Sequence, residues 1–427
     1  VRSTGANVLL VDTGDMLSAS IDRQGELKGE VLCRAYALMR YDAITLGEVD
    51  LYYGPKYLAD AFSENGLPVI SHNVRAVADS SRPPTTGMPP CGELNENPLS
   101  GPVEEPAPPM PLGNLPPYVI AESGGVKVAF VGLLNHRVNL PESVTDSLSV
   151  TPMEEGLDEV LSDLLERVDV LVGLAHSGTR SRARALADSF PQFDVVIAGH
   201  VQQFKDHYHQ NERGSIVAYV KSHGRFLGRL NLLLDEKNKV IGFGHEMVPM
   251  GPELQHHPDI LKLMVEYIDR LKILVASRAF RPKTKDLFVP PANYVTAATC
   301  FECHAGQYEH WSETSHAHAF ATLEKKDRDF DPDCQKCHTT GFGFISGFVI
   351  PRGSPHLKNV QCESCHGPGG KHVKEQKGLV APSDPAAGKT RSRYGVISES
   401  SCTSCHTEHN SPEFDYEAYF EKIKHPE

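Results

Sequence analysis

Beyond residue 295 the chain reads CFECH, CQKCH, CESCH and CTSCH in turn. These runs place Cys300, Cys303 and His304, then Cys334, Cys337 and His338, then Cys362, Cys365 and His366, and last Cys402, Cys405 and His406. They hold eight of the ten cysteines. The stretch around the third, NVQCESCHGPGGKHV at 359–373, is too polar and too rich in glycine to build an ordinary core. Something other than side chains has to supply the apolar mass. C-x-x-C-H is the attachment signature of c-type haem. Two cysteines three apart lie on one side of a helical turn and form thioethers with the haem vinyl groups, and the next histidine projects onto the iron as its proximal ligand. A single run of this kind also fits a zinc site or a redox pair. Four, each with histidine in the same place, read as four covalent haems, and a tail built this way folds only around them.

Each proximal histidine leaves a sixth iron position. Seven further histidines lie in the tail: His310, His316, His318, His356, His372, His409 and His425. They outnumber the four positions, so the residues alone do not choose among them. Trp311, the only tryptophan, sits in their midst and reads as packing against a haem face.

The formal net charge of −13 argues against nucleic acid as a partner, because phosphate binding needs a basic footprint. No run of 18 or more apolar residues appears, so no transmembrane segment is expected in this chain. The chain opens at Val1 without a signal-peptide pattern, which reads as a processed or truncated start.

Residues 1–275 have a different character. Strand-like runs (NVLLVDTGD, YDAITLG, LPVISHN, VKVAFVGLLN, VDVLVGLAH, FDVVIAGH, SIVAYV) alternate with helical patterns (GEVLCRAYALMR, MEEGLDEVLSDLLERV, DILKLMVEYIDRLKILV), as in an α/β domain. Several strands end in Asp, Asn or His, and open α/β sheets bind ligands along that edge. Twelve prolines interrupt residues 77–117, which read as an inserted surface loop carrying Cys91. Cys33 falls in the first helical pattern and reads as a buried core residue. Residues 276–295 read as a linker into the tail at 296–427.

Two resemblances extend this reading. The runs CFECHAGQYEHWSETSHAHA, CQKCHTTGFG, NVQCESCHGPGGKHV and CTSCHTEHNSPEFDYEAYFEKIKH resemble the cytochrome c-554 family of tetrahaem electron carriers. That resemblance implies His316, His372 and His425 as distal iron ligands. It leaves the fourth open among His318, His356 and His310, and it permits one five-coordinate haem. The body resembles the metallophosphoesterase domain of the 5′-nucleotidase family through LLVDTGDML, DAITLGEVDLYYG, LVGLAHSG, FDVVIAGHVQ and HGRFLGRLNLLLD, in the family's order. The implied fold is a metallophosphoesterase-like α/β sandwich followed by a mainly helical, haem-packed multihaem cytochrome domain.

The implied catalytic residues carry over only in part. The bridging aspartate corresponds to Asp15 and two metal histidines to His176 and His200. The Gly-Asn-His-Glu motif, however, reads Gly47-Glu48-Val49-Asp50, and Gly-His-x-His reads Gly199-His200-Val201-Gln202. The Asp-x-His motif would fall ahead of Val1. The remaining Asp15, Glu48, His176 and His200 suit one divalent ion rather than the paired ions of a phosphoesterase. The expectation is an exported tetrahaem c-type cytochrome that transfers electrons to redox partner proteins or other cytochromes, in the periplasm or at the cell surface, with a catalytically inactive scaffold or docking domain. The alternatives are an active metal-dependent phosphoesterase or 5′-nucleotidase with a redox tail, a haem oxidoreductase acting on a small nitrogen compound at an open iron, and one unit of a larger electron-conducting assembly.

Overall fold

A computed structural model describes residues 6–17, 22–77, 115–138, 140–201, 206–220, 224–251, 253–277, 290, 292–349, 353–379, 397–407 and 410–425. The proline-rich insert from residue 78 to 114 with Cys91, most of the linker, Gln202 and His409 lie outside the described residues. The chain divides into two compact units, Val1–Tyr267 and Ile268–Glu427.

In the first unit, β1 (Val11–Asp12), β2 (Ala43–Thr45) and β3 (Val69–Ile70) form a small parallel sheet. Strands β4 (Val74–Ala76) and β7 (Leu148–Val150) pair separately, antiparallel. A six-stranded sheet runs β10-β11-β9-β8-β6-β5, made of β5 (Tyr118–Ser123), β6 (Val126–Leu134), β8 (Val170–His176), β9 (Val195–Gly199), β10 (Tyr208–Gln210) and β11 (Ile216–Tyr219). Its inner strands are parallel and its two edge strands antiparallel. Strand β8, VLVGLAH, is buried along its whole length, as a central parallel strand covered on both faces must be. The hairpin of β12 (Phe226–Leu234) and β13 (Val240–Pro249) was not among the expected strands.

The helices are α1 (Arg23–Met39), α2 (Glu48–Leu51), α3 (Gly54–Glu64), α4 (Glu142–Thr145), α5 (Leu157–Leu164), α6 (Arg180–Ser189) and α7 (Pro258–Ala276), the last running across the division between the units. Helix α1 starts where the Asp22 side chain accepts the Gly25 N–H and stops at Arg40, whose φ of 56° is left-handed. Helix α5 turns Leu157, Leu161 and Leu164 to one side, the spacing of a buried stripe.

These stripes define the layers. Leu157, Leu161, Leu164, Leu186 and Phe193 cover one face of the large sheet. Leu51, Leu58, Phe62 and Cys33 cover the small sheet from the other side. Between the sheets lie Ala43, Ile70, Phe130, Val172, Leu174 and Ile216, joined by Leu230, Leu232 and Phe243 of the hairpin. The unit is an α/β sandwich with helices outside and sheets within.

In the second unit the elements are short: α8 (Ala297–Phe301), α9 (Ala305–Ser312), α10 (Ala319–Lys325), α11 (Pro332–His338), α12 (Cys362–His366), α13 (Gly370–Gln376), α14 (Glu399–Thr403) and α15 (Tyr416–Ile423). Each C-x-x-C-H run begins in one of them. His304 N–H bonds to the Cys300 carbonyl at 2.9 Å and His406 N–H to that of Cys402 at 2.9 Å, so the helical turn continues to the histidine. One apolar cluster here joins Phe320, Leu323, Phe348 and Leu357, with Tyr294, Cys334 and Phe342 against it, and Leu271, Ala297, Ala317 and Ala319 are buried as well. Among the described residues no helix is long and apolar enough to cross a membrane.

Gly132 marks a close approach between the sheets. Its N–H bonds to the Pro117 carbonyl at 3.1 Å, its carbonyl accepts the His72 N–H at 2.7 Å, and an added Cβ would lie 2.5 Å from the Ile70 carbonyl oxygen. Gly132→Ala should therefore overpack the sandwich and destabilise it by about 1–3 kcal/mol, read as a lower urea midpoint in far-UV circular dichroism.

Candidate functional site

Two parallel strand pairs, β1 with β2 in the small sheet and β8 with β9 in the large one, each deliver two polar residues. Asp15 follows β1, Glu48 follows β2, His176 ends β8 and His200 follows β9. One donor atom from each lies within 4.8 Å of all the others. His176 Nε2 is 2.7 Å from Glu48 Oε2 and 3.3 Å from Asp15 Oδ2. His200 Nδ1 is 3.0 Å from Glu48 Oε1 and 3.2 Å from Asp15 Oδ2. The two ring nitrogens are 2.9 Å apart.

The surroundings fix these positions. His176 Nδ1 donates to the Thr13 carbonyl at 2.7 Å, which turns Nε2 inward. Asp15 Oδ1 accepts the Val49 N–H at 2.9 Å, which leaves Oδ2 for the imidazoles. Asp50, fully buried, accepts the N–H groups of Asp15, Leu17 and Gly47, each at 2.9 Å, and so binds the β1 and β2 loops together. Asp15 and His200 both have left-handed backbones, with φ of 60° and 52°. Such strain in non-glycine residues clusters at functional sites.

Charge explains the rest. Burial pulls the His176 pKa down, but the hydrogen bonds and charges of Asp15 and Glu48 outweigh it and push it up to about 10. Hydrogen bonds to the same two carboxylates raise His200 to about 9. Burial raises Glu48, yet its bonds to His176 and His200 prevail and bring it down to about 2. Asp15 is held well below the usual carboxylate range by the same imidazoles, against its burial. Burial lifts Asp50 to about 7. Two carboxylates thus draw positive charge into one point between two imidazoles, which is the charge and donor set that suits one divalent cation. Gln202 lies outside the described residues, and Val49 contributes only its N–H.

In the second unit, imidazole rings meet in pairs. His304 faces His372 with ring centroids 6.2 Å apart, His316 faces His406 at 6.0 Å and His366 faces His425 at 6.0 Å. Each pair joins a motif histidine to one outside the motifs, with room between for one iron and two metal–imidazole bonds of about 2 Å each. The residues therefore fit bis-imidazole haem. His338 Nδ1 contacts the Ala319 carbonyl at 2.7 Å, and His406 Nδ1 contacts Ser411 Oγ at 2.9 Å, contacts that orient ligand rings. Among the described residues no ring contact joins His338 to His310, His318 or His356. Trp311 donates to the Val360 carbonyl at 2.9 Å and packs on Tyr308.

The thiols show which motifs adjoin. Cys300 of the first motif lies beside Cys362 of the third, and Cys337 of the second beside Cys405 of the fourth. Cys365 of the third lies close enough to Cys402 and Cys405 for their charges to act on it. Ser364 Oγ of the third also lies 3.2 Å from Thr340 Oγ1, two residues past His338, so the third motif meets the other three.

Sequence reasoning did not single out Asp50, Thr13 or Gly47 as supports of the cluster. An added Cβ at Gly47 would collide with the Asp15 carboxylate. Gly47→Ala should lower the affinity for a divalent ion by roughly 10–100-fold, measured by manganese or zinc titration of the haem-loaded protein.

Residues 299–367 match the family described as cytochrome c554 and c-prime. Cytochrome c-554 of Nitrosomonas europaea is 32% identical over 157 residues, covering 31% of this chain and 66% of that protein. The trifunctional nucleotide phosphoesterase YfkN of Bacillus subtilis is 28% identical over 259 residues, covering 56% of this chain but 17% of the relative. The solved 5′-nucleotidase precursor of Thermus thermophilus aligns at 20% identity and a TM-score of 0.46, over 65% of this chain and 52% of its own. The chain thus spans about two thirds of the cytochrome and a small part of the phosphoesterase. It joins a C-terminal segment of the cytochrome c554 family to an N-terminal segment homologous to 5′-nucleotidases and related metallophosphoesterases.

Proposed function

We propose that this chain is an exported tetrahaem electron carrier whose phosphoesterase-like unit serves as a scaffold or docking domain without hydrolytic activity. The observation that carries the reading is the set of three facing imidazole pairs beside four C-x-x-C-H runs. Bound haem supplies a reversible one-electron iron couple, tuned by axial ligands, burial and hydrogen bonds. The eight motif cysteines would anchor it, with His304, His338, His366 and His406 as its proximal ligands and His372, His316 and His425 as three of the distal ones. Two imidazoles on one iron would leave no site for a substrate at the three paired positions, which suits transfer between neighbours. The nearness of the third motif to the other three supports transfer through it. Covalent attachment outside the cytoplasm supports a periplasmic or cell-surface location, with redox proteins or other cytochromes as partners.

For the first unit, Asp15, Glu48, His176 and His200 would hold one divalent ion. Against hydrolysis stands Glu48, whose carboxylate spans both imidazoles where the related enzymes' motif has a neutral asparagine. Val49 stands where their motif histidine would be and offers no proton, and losing a positioned general acid costs roughly 10²–10⁴-fold. The convergent donors and the strained Asp15 and His200 favour a second reading, an active metal-dependent phosphoesterase.

Three measurements separate these readings. A pyridine haemochrome assay should return four covalent haems per chain, one for each motif; two or fewer, with zinc making up the difference, would sink the cytochrome reading. His316→Met, His372→Met and His425→Met should each convert one haem to a high-spin or altered axial spectrum. Hydrolysis of nucleoside monophosphates and an aryl phosphate should stay at background with manganese, zinc, cobalt or magnesium. Turnover of about 1 s⁻¹ or faster, abolished by Asp15→Ala, would establish the second reading instead.

A further inference from the structure

Glu363 lies between the two cysteines of the third motif, where neither thioether nor iron chemistry requires a carboxylate. Yet it is 4% exposed. The acidic residue inside the first motif, Glu302, is by contrast exposed and paired with Lys377 at the surface. Burying a carboxylate is costly unless hydrogen bonds compensate it. Here the Val295 N–H reaches both oxygens, at 2.9 and 3.0 Å, and the Gly369 N–H reaches Oε1 at 2.7 Å.

Those two donors belong to the elements that carry one imidazole pair. Val295 precedes Thr296, the N-cap of α8, which holds Cys300 and leads to His304. Gly369 is the N-cap of α13, which holds His372. His304 and His372 face each other at 6.2 Å. Gln361, 7% exposed, supports the same junction: its Oε1 accepts the Ala297 N–H at 2.7 Å, while its Nε2 donates to the carbonyls of His356 and Lys358 at 2.7 and 2.8 Å. Gly370 N–H closes onto the Asn293 carbonyl at 2.9 Å, so close that a Cβ there would meet that oxygen.

We propose that Glu363 is a positioning residue which, from within the third attachment motif, fixes the axial imidazole pair His304/His372 of the first. The inference rests on the haem reading above. A carboxylate suits the site because both its oxygens accept, whereas an amide would keep an acceptor at Oε1 but turn its NH2 toward the Val295 N–H. By joining the lead-in to α8 and the start of α13, it sets the tilt and separation of the two rings. It also locks the first and third motifs together where Cys300 lies near Cys362. Its negative charge, buried beside both motifs, favours oxidised over reduced iron.

The test uses the full haem-loaded chain and Glu363→Gln, with Glu324→Gln, a surface change at a residue paired with Lys358, as the comparison. Glu363→Gln should keep the wild-type haem content, alter one low-spin EPR signal or shift it toward high spin, and raise the midpoint potential of that haem. His372→Met should change the same signal, and Glu324→Gln should change nothing. Unaltered EPR and potentials in Glu363→Gln, or an equal shift in Glu324→Gln, would overturn the proposal. Should Glu363→Gln lose haem, Glu363→Asp decides. Full haem content with a disturbed His304/His372 signal supports positioning, whereas loss of haem there too shows a general folding role and overturns it. A wild-type protein with two or fewer haems would instead remove the haem reading itself.

Discussion

A chain segment whose described apolar cluster is Phe320, Leu323, Phe348 and Leu357, with Leu271 and three alanines buried besides, has little core of its own. Ordering a backbone residue costs roughly 1–2 kcal/mol, while burying a large apolar side chain returns roughly 1.5–3 kcal/mol. A handful of such side chains does not offset the ordering of the described residues of the second unit. Its helices are also too short to be stable alone, since isolated helices below about 12 residues are marginal in water. What it has in excess is thiols and imidazoles, arranged to converge. Covalent and coordinate bonds to porphyrins would replace the missing apolar area, and each short helix then serves to present one motif, or one facing histidine, at a fixed angle.

The first unit rests on the opposite footing. Three apolar clusters fill the space between and outside its sheets, and the polar cluster at the strand ends is the exception within it. Left-handed backbones at Asp15 and His200 cost about 1–3 kcal/mol each. They persist because Asp50 and the close glycine contacts leave the loops little freedom to relax. The sandwich thus presents a preorganised set of donors on a rigid base, whether or not anything is hydrolysed there.

How much of this was legible in the sequence depended on the kind of signal. Four repeats of C-x-x-C-H announce themselves because thioether chemistry tolerates little variation in spacing. The strand ends bearing Asp15, His176 and His200 followed from apolar runs that stop at a polar residue. The first strand proved shorter than its apolar run, only Val11–Asp12, since the Asp42 carboxylate takes the Leu10 N–H and the ladder begins after it. Facing histidines could not be chosen from composition, because seven of them had equal claims until a family resemblance ranked them. Glu363 and Asp50 were illegible for a deeper reason. Each acts on backbone N–H groups far away in sequence, 68 residues for Val295 and 35 for Asp15, and periodicity carries no trace of such a bond.

The third motif adjoins the other three, and this bears on assembly. Cys362 lies beside Cys300 of the first, Cys365 near Cys402 and Cys405 of the fourth, and Ser364 Oγ is 3.2 Å from Thr340 Oγ1, just past the second. A chain emerging from its N-terminus would possess its first two sites early, with nothing between them. The hub arrives after two of its spokes, so a partly matured molecule would hold half of its cofactor and still be an open circuit.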